Sequence, residues 1–216
     1  IITDSAVDLP EELVKKHNID VVPFYIYFGE ESYRDGDITP KKMYKRVEEL
    51  GELPKTAAVS PAEWMNHYDE YINQEMDIFV LTLGSKISSN FQNAYLASQE
   101  YEENRVVVCD SRVLSGSIGL LALKAAKFRD QGLSAKEIKV EIEKLIPKMH
   151  TQFVIRTLDY LHKGGRCNAL TKFIGTVLSI KPQIKMTDGK LDIYKRNIGK
   201  MSRAVDVMLD DFFKIE

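Results

Sequence analysis

The chain has 216 residues and a hydrophobic fraction of 44%, enough apolar material for one large domain or two small ones. Its 30 Lys and Arg nearly balance 32 Asp and Glu, so the net charge of −2 gives no general attraction to nucleic acid or anionic membranes. The longest apolar runs fall far short of the roughly 20 residues that a transmembrane helix requires. The two cysteines fit a reducing compartment. We therefore expect a cytoplasmic protein with no nucleic-acid partner and no stable membrane insertion.

The first two thirds of the chain alternate short apolar runs with capped helical patterns, which predicts a parallel sheet with helices on both faces. Pro23 interrupts one apolar run and makes it a candidate edge strand, and a polar stretch at 30–37 is typical of a loop. The predicted strands are 1–3, 21–28, 76–83 and 106–109. The predicted helices are 10–16, 39–50, 60–73, 88–100, 114–129 and 134–149.

After His150 the pattern changes to short strands around a strong hairpin signal. Asp188-Gly189 lies between two alternating runs, 182–186 and 191–195, which predicts an antiparallel pair. The remaining predicted elements are a strand at 153–155, a helical turn at 158–163, an apolar helix at 170–178 and a helix at 201–213. We therefore predict two α/β domains. Residues 1–150 form a mostly parallel sheet, and residues 151–216 form a smaller mixed or antiparallel sheet with helices.

Small polar residues follow three of the predicted strands. Asp4-Ser5 follows the first, the segment 84–90 follows the strand ending at Leu83, and Asp110-Ser111 follows the next. Because ligands of open α/β sheets bind beyond the carboxyl ends of the strands, this edge is a candidate anion site. The alternative is that these Ser and Asp side chains only cap helices.

Two features of the second domain can be interpreted either as ligand-binding or as purely structural. Gly164 and Gly165 precede Arg166, and a sharp turn there could direct the guanidinium at a carboxylate or phosphate. Equally, Gly164 could simply end a helix. The apolar face of 170–178, which includes Phe173, is typical of a core-facing helix.

Familiar catalytic motifs are missing from the sequence. It contains no phosphate-binding G-x-x-x-x-G-K-[ST] loop, no dinucleotide-binding G-x-G-x-x-G, and no zinc-type spacing of His and Cys. Residues 115–119 read SGSIG, which differs from the nucleophile elbow G-x-S-x-G at its first position. This near match and the serine-rich strand ends are what an acyl- or phosphoryl-transfer enzyme would rely on.

Six blocks in a fixed order resemble the DegV family of bacterial fatty-acid-binding proteins. The blocks are ITDSAVDLP (2–10), PKT (54–56), ISSNFQNA (87–94), DSR (110–112), YLHKGGR (160–166) and IKP (180–182). The sequence departs from the family pattern at 57–59, where AAV stands for Ser-Gln-Pro, and at Ser89 and Asn90, where Gly and Thr are usual. Family members also continue beyond this chain, so we expect the second domain to be incomplete at its C-terminus.

The resemblance implies a lipid-binding protein and not an enzyme, with a long-chain fatty acid such as hexadecanoate between the two domains and no cofactor or metal. The carboxylate would be held by Thr56 and Ser88, with Arg166 close by. Ser89 and Ser111 are further headgroup candidates, and Phe173, Ile174 and Val177 are candidates for lining the acyl chain. In some members a separate kinase phosphorylates the presented fatty acid for phospholipid synthesis. Two alternatives remain, namely the transfer enzyme above and a lipid-responsive regulatory interaction protein.

Overall fold

The computed structural model describes residues 1–166 and 180–215, and the chain divides into two compact units, 1–147 and 148–216. The first unit contains β1 (Ile2–Asp4), α1 (Glu11–Lys16), β2 (Asp20–Val22), β3 (Tyr25–Phe28), β4 (Glu31–Arg34), α2 (Pro40–Leu50), β5 (Lys55–Ala57), α3 (Pro61–Ile72), β6 (Ile78–Thr82), α4 (Asn90–Ser98), β7 (Val106–Asp110), α5 (Gly116–Asp130) and α6 (Ala135–Leu145). The second contains β8 (Gln152–Val154), α7 (Asp159–Lys163), β9 (Ile180–Thr187), β10 (Lys190–Ile198) and α8 (Met201–Phe212).

The first unit is built on a four-stranded parallel sheet in the order β2-β1-β6-β7, as the alternation of strands and helices predicts. Every residue of β6 is buried because helices cover both faces of the sheet. Trp64 and Tyr68 of α3 pack with Ala94 and Ala97 of α4 against one face. Since side chains alternate along a strand, the opposite face of the sheet is left for α5 and α6.

A second, antiparallel sheet in this unit, ordered β4-β3-β5, was not predicted. The expected single strand at 21–28 is wrong, because Pro23 separates β2 and β3 into different sheets. β2 is an edge strand, but β3 lies in the middle of its sheet. The loop expected at 30–37 is also wrong over 31–34, where β4 pairs with β3 around a turn at Gly29, whose φ is +58°.

The helix starts follow the capping residues in the sequence. Thr39, Ser60 and Ser134 each accept a backbone hydrogen bond from the residue three positions on, and Pro40 and Pro61 occupy first-turn positions where no amide hydrogen is needed. At Ser134, the Glu137 carboxylate accepts from the Ser134 amide in return, which completes a capping box.

The second unit contains an antiparallel sheet in the order β10-β9-β8, with α8 packed on it. Asp188 and Gly189 form the predicted two-residue turn, and both have the positive φ (47° and 73°) that this turn needs. Buried Gln183 donates to Gln152 and to Asp211, which joins β9 to β8 and to α8. The helix predicted at 170–178 lies outside the described residues.

None of the helices in the described ranges is long and apolar enough to cross a bilayer.

Gly119 brings α5 against the turn that follows β1, and this contact is testable. A Cβ there would lie 3.0 Å from the Val7 carbonyl oxygen and 2.9 Å from Leu9 Cδ2. The Leu9 side chain and the Val7 carbonyl must shift to accept it, so we expect Gly119→Ala to lower the free energy of unfolding by about 1–3 kcal/mol in urea titrations. Gly116→Ala in the same helix is the control, since its Cβ would meet nothing within 4 Å. An equal effect of the two substitutions would contradict this close packing.

Candidate functional site

The ends of β1, β6 and β7 lie side by side because the three strands are parallel and adjacent. The structure therefore brings the three polar junctions of the sequence to one edge of the sheet. Side-chain hydrogen bonds then fasten each junction to its neighbour. Asp4 at the end of β1 accepts from the Leu83 amide just after β6, and Asp110 at the end of β7 accepts from the amide and hydroxyl of Ser85.

Asp4 is the buried centre of this edge, with no exposed surface. Its Oδ2 accepts from the Leu83 amide and the Asn90 side-chain amide, both at 2.7 Å, and its Oδ1 accepts from the Ala6 amide at 3.2 Å. Burial raises the pKa of this carboxyl from its ordinary value near 3.8 to about 6, although the three donors oppose the shift. Asp4 is thus a fully hydrogen-bonded group that is costly to ionise.

Asn90 opens α4 and is also fully buried. While its Nδ2 donates to Asp4, its Oδ1 accepts from the Val59 amide at 3.1 Å. Asn93, one turn along, donates to the Val59 carbonyl oxygen at 2.8 Å. The backbone of Val59 is consequently held at both its N–H and its C=O by α4.

Thr56 and Ser88 lie on the two segments that meet at Asn90. Thr56 is exposed on β5, opposite Ile26 of β3, and comes three positions before Val59. Ser88 is half-buried, and its Oγ accepts from the Asn90 amide at 3.2 Å. Ser89 is exposed at the N-cap position of α4, where its carbonyl oxygen accepts from the Asn93 amide.

Ser111 has a different setting from the other candidates. It is fully buried, and its Oγ donates to the Val113 carbonyl and accepts from the Val113 amide, both at 3.2 Å. The Asp110 carboxylate also accepts from the Arg112 amide. The Ser111 hydroxyl therefore stabilises the turn after β7 through its two bonds to Val113.

The remaining candidates belong to the second unit. Arg166 is exposed, and its Nη1 donates to the Gly164 carbonyl oxygen at 2.6 Å. Gly164 ends α7, and Gly165 follows with a φ of +70°. Phe173, Ile174 and Val177 lie outside the residues that the structure describes.

The near match to a nucleophile elbow lies at the start of α5. Ser115 has a φ of +56° and a ψ of −137°, and its backbone turn is closed by the Ser117 amide donating to Leu114. It comes five positions after the end of β7, and its side chain makes no capping hydrogen bond. Within the described ranges, no group of three or more His, Cys, Asp or Glu side chains is placed to hold a metal ion.

The sequence indicated the hydroxyls as candidate ligands, whereas Asn90 was noted only as a departure from the family pattern. An asparagine at the start of a helix is usually interpreted as a helix cap. What distinguishes Asn90 is that its two partners lie 31 and 86 positions away in the chain. No local spacing could have identified them.

Known proteins resemble this chain over nearly all of its length. A family model described as "Uncharacterised protein, DegV family" matches residues 1–215. A DegV domain-containing protein of Caldanaerobacter subterraneus subsp. tengcongensis is 35% identical over 97% of this chain and 75% of its own length. A DegV family protein from Thermus thermophilus, described for its fatty acid binding, is 32% identical with a TM-score of 0.87, over 98% of this chain and 75% of that one. A DegV family protein from Ruminococcus gnavus, described with vaccenic acid, is 28% identical with a TM-score of 0.85, over 98% and 76%.

The buried carboxyl of Asp4 should leave a signature in the pH dependence of stability. Its raised pKa means that the folded protein holds this proton more tightly than the unfolded chain. The stability contributed by Asp4 is therefore complete below about pH 4 and is lost as the pH rises through about 6. Relative to Asp4→Asn, which cannot titrate, we expect the wild-type free energy of unfolding to fall by about 3 kcal/mol across this window.

Urea titrations of both proteins at a series of pH values measure this difference. Other titrating groups cancel because the two chains share them. A difference that is constant with pH, or that grows as the pH rises, would contradict the assignment.

Proposed function

Because the chain belongs to the DegV family, we propose that it binds a long-chain fatty acid and acts as a carrier. The observation that carries this proposal is its likeness, over nearly the whole chain, to the Thermus protein described for fatty acid binding. The edge formed by β1, β6 and β7 supplies a second argument. It carries neutral hydrogen-bond donors beside a helix start, which is the chemistry that a carboxylate needs.

We propose that Thr56 and Ser88 donate hydrogen bonds to the carboxylate. A buried carboxylate is costly unless it is hydrogen-bonded, and two hydroxyls meet that need without a full counter-charge. The Asn90 amide already donates to the Ser88 hydroxyl oxygen. The amides that follow it in the first turn of α4 are the proposed further donors, since the opening N–H groups of a helix have no partner within it. Arg166, in the second unit, is the proposed cationic group of the headgroup site, while Ser89 is placed to contribute from the α4 N-cap.

The acyl chain supplies most of the affinity in this proposal. Each buried CH₂ contributes about 0.8 kcal/mol, so hexadecanoate could gain on the order of 10 kcal/mol gross. The headgroup contacts then orient the ligand and select for the acid. Phe173, Ile174 and Val177 are proposed to line the chain on the strength of their helical spacing in the sequence.

The carrier role has a further step in our proposal. The protein presents its bound fatty acid to a separate fatty acid kinase, which phosphorylates the carboxylate for phospholipid synthesis. Here the protein is the substrate-presenting subunit, and the phosphoryl chemistry belongs to the kinase.

Removing either proposed donor should weaken binding of the acid. We expect Thr56→Val and Ser88→Ala each to reduce the affinity for hexadecanoate about tenfold, since a hydrogen bond to a charged group contributes about 1.5–3 kcal/mol. Isothermal titration calorimetry measures the effect, with circular dichroism to confirm the fold. Thr187→Val is the matched control, because Thr187 is also an exposed strand threonine but lies in the β9–β10 hairpin. Unchanged affinity in both site variants would refute the headgroup assignment.

A further inference from the structure

We propose that Asn90, anchored by Asp4, is a positioning residue that sets the separation of Thr56 and Ser88 and thereby the preference for a carboxylate headgroup. This inference rests on the proposed function. It goes beyond it by assigning headgroup selectivity to two residues that need not touch the ligand.

The Asn90 side chain connects two parts of the fold. Its two ends bind different parts of the fold, with Nδ2 on Asp4 at 2.7 Å and Oδ1 on the Val59 amide at 3.1 Å. Asp4 in turn holds Leu83, where the chain leaves β6 towards Ser88. An unbroken series of hydrogen bonds therefore links the segment carrying Thr56 to the segment carrying Ser88.

The orientation of the Asn90 side-chain amide is fixed by its partners. The Val59 N–H can only donate, and the ionised Asp4 carboxylate can only accept, so the oxygen and nitrogen of Asn90 cannot exchange places. All three groups are shielded from solvent, since Asn90, Asp4 and Val59 have no exposed surface. Water therefore cannot readily replace a lost contact at this position.

The position of Ser88 depends on the same residue. Its Oγ accepts from the Asn90 backbone amide, which fixes where the hydroxyl oxygen lies. Asn93 adds a second clamp from the same helix by donating to the Val59 carbonyl. The start of α4 thus holds both hydroxyl-bearing segments, one through its backbone and one through its side chains.

The test compares two ligands with the same tail and different headgroups, hexadecanoate and hexadecan-1-ol. In Asn90→Ala the Thr56 segment loses its bond to α4 through the Val59 amide, so the two hydroxyls no longer hold the carboxylate together. We expect affinity for the acid to fall about tenfold and affinity for the alcohol to change less than about twofold. Calorimetric titration of both ligands gives the ratio of the two affinities.

Tyr68→Phe is the matched control for a purely structural loss. The Tyr68 hydroxyl donates to the Ala94 carbonyl of α4 at 3.1 Å in the same core, but it does not join the two segments. It should leave the acid-to-alcohol ratio at the wild-type value. Asn93→Ala gives a milder variant for the case that Asn90→Ala does not fold, and it should lower the ratio about threefold through the lost bond to the Val59 carbonyl.

The possible results distinguish the positioning role of Asn90 from fatty acid binding itself. A lower ratio in the Asn90 or Asn93 variant, with Tyr68→Phe unchanged, supports the positioning role. Equal weakening of acid and alcohol, or an unchanged ratio in a folded variant, overturns it while leaving fatty acid binding intact. A wild-type chain that binds neither ligand overturns the proposed function, and this inference with it.

Discussion

A carboxylate buried at the end of β1 is the constraint on which the candidate site depends. Ionised Asp4 is unfavourable without hydrogen bonds, and its three donors come from the turn after β1, the end of β6 and the start of α4. Satisfying one side chain therefore fixes the relative positions of three chain segments. Asn90 also fixes the position of the connection between β5 and α3, because its side-chain oxygen accepts from the Val59 amide. The edge is held by polar groups in the interior, and Ser88 lies half-buried beside them.

The sequence predicted those parts of the fold whose signals are local. β6 and β7 are continuous apolar runs because helices cover both their faces, and Thr39, Ser60 and Ser134 mark helix starts through contacts three residues away. The sheet of β3, β4 and β5 escaped prediction for the opposite reason. β4 and β5 are short and largely exposed, so they lack an apolar pattern. β4 pairs with β3 in a local hairpin, whereas β5 pairs with β3 over a long stretch of chain, with Ile26 opposite Thr56.

The candidate site divides in the same way. Ser88 and Ser111 look equivalent in the sequence, since each follows a buried strand. In the structure the Ser111 hydroxyl closes a local turn with Val113, whereas the Ser88 hydroxyl lies half-buried beside the start of α4. Thr56 was proposed from a family resemblance, and the residues next to it in the sequence give no signal of a binding site. The contacts that relate Thr56 to Ser88 run through Asn90 and Asp4, which are distant in sequence from each other and from Val59.

The central claim is that this chain holds a fatty acid, and native mass spectrometry of the full chain tests it most directly. The protein is measured as purified and again after incubation with hexadecanoate, and bound material is extracted and identified. The account predicts a mass increment of one fatty acid per chain, either carried from the cell or acquired from the added hexadecanoate. A mass that stays at the ligand-free value in both measurements would contradict the account.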